Sequence, residues 1–127
     1  MPVYHVWFST KRRKWLLQDD IADACKQLMM EIAREKGIRF LACEPAIDHM
    51  HLLIDIENRE RLSKAMNLLK GISARRIFER FLDLKMDEGI SHFWQHRYAT
   101  KEVEPGAVSA VSTYIETQNE RLEKFER

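Results

Sequence analysis

His49 and His51 stand one residue apart inside the apolar run AIDHMHLLIDI, residues 46–56, and this is where the chain first offers side chains spaced for chemistry. Side chains alternate across a strand, so Met50, Leu52, Ile54 and Ile56 share one face while His49, His51, Leu53 and Asp55 share the other. The all-apolar face belongs against a core. The two imidazoles then project together from the opposite, uncovered face, side by side as they must be to bind one cation. An H-x-H pair alone equally describes two solvated or hydrogen-bonded residues, so more ligands are needed.

The C-terminal segment offers one. Val108, Val111, Ile115, Leu122 and Phe125 keep a 3–4 spacing that defines an apolar seam, and the seam position between Ile115 and Leu122 is Gln118. An amide buried there needs a partner, and Tyr114, four residues earlier, is its neighbour on one helix edge. The pair also describes a simple packing contact at a helix–sheet or dimer interface. Taken with the histidines, two imidazoles and an amide oxygen make a three-ligand set with open positions. That set suits Mg²⁺ or Mn²⁺, which must still accept a phosphate oxygen, better than zinc, since no thiolate or carboxylate joins the histidines at zinc spacing. Beside such an ion an activated tyrosine can attack a phosphodiester and hold the broken strand covalently.

These residues need elements to position them. VYHVWFST reads as a strand over residues 3–10, ending at a basic turn. DDIADACKQLMMEIAREKG repeats its apolar residues at helical spacing, with Asp19 or Asp20 as N-cap and Gly37 as stop. IRFLACEP and IDHMHLLIDI form a hairpin broken around Pro45, and Asn58 caps the helix RERLSKAMNLLKGISARRIFERF. LDLKMDEG reads as a polar loop, HFWQHRYATKEV as a fourth strand or strand pair, and the segment after the EPG break as a final helix over 105–127. The order β-α-β-β-α-β predicts an α+β, ferredoxin-like (RRM-like) fold, with an antiparallel sheet, two helices on one face and an additional C-terminal helix left over.

At 127 residues, 45% of them hydrophobic, the chain is expected to form a single domain over 1–127. The net charge of +1 says nothing about partners, but its distribution does. Lys11, Arg12, Arg13 and Lys14 form one basic cluster and Lys70, Arg75 and Arg76 another, while acids collect in other segments. These basic groups are candidate phosphate contacts, and Trp7, Trp15 and Trp94 are candidate stacking partners for unpaired bases or ordinary core residues. Cys25 and Cys43 both fall in apolar patterns, which predicts free buried thiols and a reducing, cytoplasmic setting. No apolar run approaches the ~20 residues of a membrane helix.

Five ordered segments, YHVWFSTKRRKWLL, DHMHLLI, LLKGISARRIF, HFWQHRYA and YIETQ, together resemble the HUH-type single-tyrosine transposases of small bacterial and archaeal insertion sequences, the IS200/IS605 group. The group includes domesticated relatives acting at repetitive palindromes. The resemblance covers nearly the whole chain and implies that His49 and His51 bind the metal, Gln118 completes its coordination and Tyr114 is the nucleophile. It further implies single-stranded DNA with a hairpin at the element ends as substrate, and a homodimer whose C-terminal helix carries Tyr114 to the partner's histidines, in trans. The chain shows no added DNA-binding domain, so hairpin recognition is expected from the core itself. A non-catalytic RRM-like nucleic-acid-binding module is the rival reading, although the exposed sheet carries histidines where that fold carries aromatic signatures.

Overall fold

Alternation decides the first strand in the computed structural model, which describes residues 1–117. In β1 (Val3–Ser9), Tyr4, Val6 and Phe8 are buried in the main core, while Val3, His5, Trp7 and Ser9 lie half-buried on the other face. A 3-10 turn at Lys11–Arg13 follows, with Arg12 (φ 57°) and Arg13 (φ 52°) both in the left-handed region that side chains disfavour.

α1 (Asp19–Lys36) buries Ala24, Cys25, Leu28, Met29, Ile32 and Ala33, and it stops as predicted at Gly37, whose φ of 68° needs no Cβ. Gln18, rather than Asp19 or Asp20, holds the N-cap position. Both acids sit in the first turn, where a carboxylate meets the positive end of the helix dipole.

β2 (Arg39–Ala46) and β3 (His49–Asp55) form the predicted hairpin, but β2 runs through Pro45, which pairs with Met50. The chain turns later, at Ile47 and Asp48, with Ile47 at φ 50°. A proline is tolerated there because β2 is the outer strand of the sheet order β2-β3-β1-β4. α2 (Arg59–Arg80) is capped by Asn58, whose side-chain oxygen accepts the Arg61 N–H at 2.8 Å. The expected polar loop contains a short helix, α3 (Leu84–Glu88), closed by Gly89.

Of the predicted strand over 92–103, only β4 (Ala99–Val103) is regular. The earlier residues are fixed by a single backbone bridge, with Lys11 N–H donating to the Phe93 carbonyl at 2.8 Å and Gln95 N–H to the Ser9 carbonyl at 2.9 Å, and by side chains. Phe93 and Trp94 are buried, and the Lys70 ammonium donates to the carbonyls of Gln95, His96 and Arg97 at 2.7, 3.1 and 3.2 Å.

All strand pairs are antiparallel, and α1 and α2 pack together over the main core on one face of the sheet. This is the expected ferredoxin-like arrangement, but the second face is not uncovered. α4 (Val108–Glu116) lies across it, burying Ile115 against Ala42 and Leu53, with Val108 and Val111 alongside. The helix read as left over therefore has a place on its own chain, because Leu53 and its neighbours supply an apolar strip beside the histidines. Gln118, Leu122 and Phe125 lie outside the described residues. Among the described residues no helix is long and apolar enough to cross a membrane.

Candidate active site

Antiparallel pairing sets the site. β1 places Ser9 opposite His49, Trp7 opposite His51 and His5 opposite Leu53, so three imidazoles share the face that α4 covers. The rings of His49 and His51 lie 4.7 Å apart at 74°, close enough to serve one cation. His51 is buried, at 6% exposure.

Each ring is held through Nδ1. The His49 Nδ1–H donates to Asp48 Oδ1 at 2.7 Å, and since a carboxylate only accepts, this bond places the proton on Nδ1. His51 Nδ1 lies 2.9 Å from Nε2 of His5. Burial lowers the His5 pKa from its ordinary value. Both orienting bonds leave Nε2 as the nitrogen not used by them, the pattern of metal-binding histidines held by outer partners.

α4 brings Tyr114 to this cluster from the same chain, with its ring centroid 6.5 Å from that of His51 and edge-on at 84°. Helical spacing explains the placement: Ile115 points into the apolar strip, so Tyr114, one residue earlier, lies at its border with 42% of its surface exposed. Among the described residues no three His, Cys, Asp or Glu side chains form a metal cluster. Gln118, the expected third ligand, lies outside the described residues.

The basic residues separate. Thr10 N–H donates to the Asp48 carbonyl at 2.9 Å, which ties the Lys11–Arg13 turn to the His49 end of the sheet, and Arg13 Nε stands 3.6 Å from Asp48 Oδ2. Arg12 and Arg13 are exposed there. Lys14 faces Glu88 at 3.8 Å. Of the second cluster, Lys70 lines a cavity together with Lys11, while the two arginines lie apart from the basic turn. Arg76 pairs with Glu35 of α1 at 3.1 Å, Arg75 stands 3.9 Å from Glu79, and the Lys70 ammonium is committed to backbone carbonyls. All three belong to α2, in the helix layer across the sheet from the histidines. Trp94 is a core residue donating to Ser73 Oγ at 2.9 Å, Trp7 packs on His5, and Trp15 is 65% exposed just after the basic turn.

Sequence reasoning singled out neither His5 nor Asp48. The signal was available, since His5 interrupts the apolar alternation of β1 as His49 does that of β3, but the partner strand's register is needed to bring them together. A cavity of about 460 Å³, lined among others by Lys11, Lys70, Phe78, His92 and Trp94, lies apart from these histidines.

The chain is 29% identical over 118 residues to the ISDra2 transposase TnpA of Deinococcus radiodurans, covering 93% of this chain and 84% of the relative. It is 29% identical over 117 residues to the transposase for insertion sequence element IS200 of Salmonella typhimurium, covering 92% and 76%. A crystal structure of a transposase candidate from Deinococcus radiodurans R1 superposes with a TM-score of 0.74 at 31% identity, covering 93% of this chain and 92% of that one. A REP-associated tyrosine transposase, solved bound to a REP hairpin, shares the fold with a TM-score of 0.64 at 15% identity, covering 94% and 67%. The model of the family described as IS200-like transposases matches residues 2–118, and the chain belongs to that family.

Proposed function

We propose that this transposase cleaves and rejoins single-stranded DNA at insertion-sequence ends, holding the broken strand on Tyr114 as a 5′-phosphotyrosine. The observation that supports this reading most is the juxtaposition, on one sheet face of one chain, of His49, His51 and the exposed phenol of Tyr114. The donor chemistry fits Mg²⁺ or Mn²⁺, with His49, His51 and Gln118 as the residues that would hold the ion. Bound there, it would supply Lewis-acid polarisation of the scissile phosphate.

The chain's own residues do the rest. The Tyr114 phenolate oxygen, its proton given to water, attacks phosphorus, forming an O–P bond as the bond to the 3′ oxygen breaks. The departing oxygen takes up a proton and leaves as a 3′-OH. A later 3′-OH attacks the phosphotyrosine and releases Tyr114, so rejoining requires no ATP. Arg12, Arg13, Lys11 and Lys14, at the His49 end of the sheet, would hold the strand's phosphates, and a hairpin at the element end is the proposed recognition feature. DNA as substrate and two free buried thiols fit a cytoplasmic setting.

A homodimer that exchanges α4, delivering Tyr114 in trans, is a second reading. It is favoured by the light anchoring of α4 to the sheet and its short Glu104–Ala107 connection, which contains Gly106. A domesticated relative cutting chromosomal palindromes would use the same site. A non-catalytic RRM-like module accounts for it less well, because α4 covers the face on which such a module stacks bases.

Labelled single-stranded element ends incubated with Mn²⁺ test the proposal. Cleavage is expected for the native chain and its loss for both His49→Ala and Tyr114→Phe. Undiminished cleavage by either variant contradicts the assignment of that residue.

A further inference from the structure

His5 reaches from β1 across the sheet to His51, with their rings stacked at a centroid distance of 5.1 Å and 25° and the His5 Nε2 to His51 Nδ1 distance at 2.9 Å. A single proton lies between those two nitrogens, and it has two possible owners. If His5 owns it, His51 accepts through Nδ1 and a neutral His51 must carry its own proton on Nε2. The one in-plane lone pair of His51 is then spent on His5, and Nε2 holds a proton. If His51 owns it, Nδ1–H donates to His5, and Nε2 of His51 carries a lone pair.

We propose that His5 is a positioning residue that accepts the His51 Nδ1 proton and so keeps Nε2 of His51 in the form that binds a cation. The inference rests on the metal reading of this site and deepens it. Asp48 already imposes the same arrangement on His49, through a carboxylate that can only accept. The two proposed ligands are therefore set alike by different acceptors, an anionic one at the sheet's end beside Arg13 and a neutral one further along the strand. A neutral acceptor suits the inner position, where an unpaired carboxylate beside buried Leu53 would carry a desolvation penalty.

A packing role is the competing account, since the His5 ring also lies 4.8 Å from that of Trp7. Two variants separate them. His5→Phe keeps a flat ring and removes the acceptor, whereas His5→Gln keeps an acceptor oxygen and loses the ring. Ring nitrogen-15 shifts of His51 in the metal-free protein should place its proton on Nδ1 in the native chain and in His5→Gln, and on Nε2 in His5→Phe. Mn²⁺ affinity, read by electron paramagnetic resonance, should fall about 10–100-fold in His5→Phe and stay within a few-fold of native in His5→Gln.

A native His51 proton on Nε2, native-like Mn²⁺ affinity in His5→Phe, or equal weakening in both variants overturns the inference. The native ring shifts decide it even if His5→Phe does not fold. If instead native protein takes up no Mn²⁺, or His49→Ala leaves uptake unchanged, the metal reading fails while the shifts still decide what His5 does.

Discussion

On the face of the sheet under α1 and α2, Tyr4, Val6, Phe8, Met50, Leu52 and Ile54 pack with Met29, Ile32, Met66 and Leu69 into one continuous core. On the face under α4, the buried apolar cluster among the described residues is Ala42, Leu53 and Ile115, and the neighbouring positions are His5, His49 and His51. The same two strands build both faces, because residues at odd and even positions never meet. The first face carries the stability that lets the second hold polar side chains half-dry, and changes on the second should alter chemistry before they alter folding.

The sharpest break between the faces comes from two adjacent leucines of β3, both fully buried. Leu52→Ala opens a cavity in the main core and should lower the free energy of unfolding by about 2–5 kcal/mol, measured by urea denaturation. Leu53→Ala removes the same atoms from the α4 face, where the helix can settle or lift, and should fall at or below the low end of that range. Equal losses would show that α4 is part of the global core.

Lys70→Met probes a basic residue that the structure assigns to folding. Removing its three carbonyl contacts should cost about 1–3 kcal/mol of stability and leave the salt dependence of DNA binding unchanged. A flatter salt dependence with unaltered stability would return Lys70 to the phosphate contacts.

Ile115→Ala should produce a smaller global effect, within about 1 kcal/mol, since α4 can detach without unfolding the sheet. Its signature is functional: faster amide exchange confined to α4 and a slower rate of covalent adduct formation. Exchange protection lost throughout the sheet would contradict the separation of the two faces.

The smallest expected effect separates the two basic clusters. Arg12→Ala with Arg13→Ala should reduce the slope of log affinity against log salt by about 1.4, at roughly 0.7 per phosphate contact on a single strand. Arg75→Ala with Arg76→Ala should leave it unchanged, because those guanidinium groups face Glu79 and Glu35 on the far layer.

The main core face was legible in the sequence because helix and strand periodicities are local. Leu28, Met29 and Ile32 repeat at helical spacing, Met50, Leu52 and Ile54 alternate, and Gly37 and Asn58 act within a few residues of themselves. What depended on partners was not legible. Pro45 suggested a break, but an outer strand does not require its missing N–H, so β2 continued. Phe93 and Trp94 looked strand-like and instead enter the core from an irregular segment held by Lys70. The uncovered-face expectation failed for a similar reason, since only the tertiary fold shows that Ala42, Leu53 and Ile115 meet. For the site, His49 and His51 were readable from spacing within one strand, whereas the His5 contact depends on a β1–β3 register that no local pattern encodes.

The central claim is that Tyr114, brought to His51 by α4, is the residue that takes the DNA strand. Its most direct test is to incubate the protein with single-stranded element ends and Mn²⁺, digest it, and locate the nucleotide-bearing peptide by tandem mass spectrometry. The account predicts attachment to Tyr114 through a 5′-phosphate with a free 3′-OH on the other fragment; attachment to Tyr4 or Tyr98, or cleavage that leaves no residue modified, would contradict it.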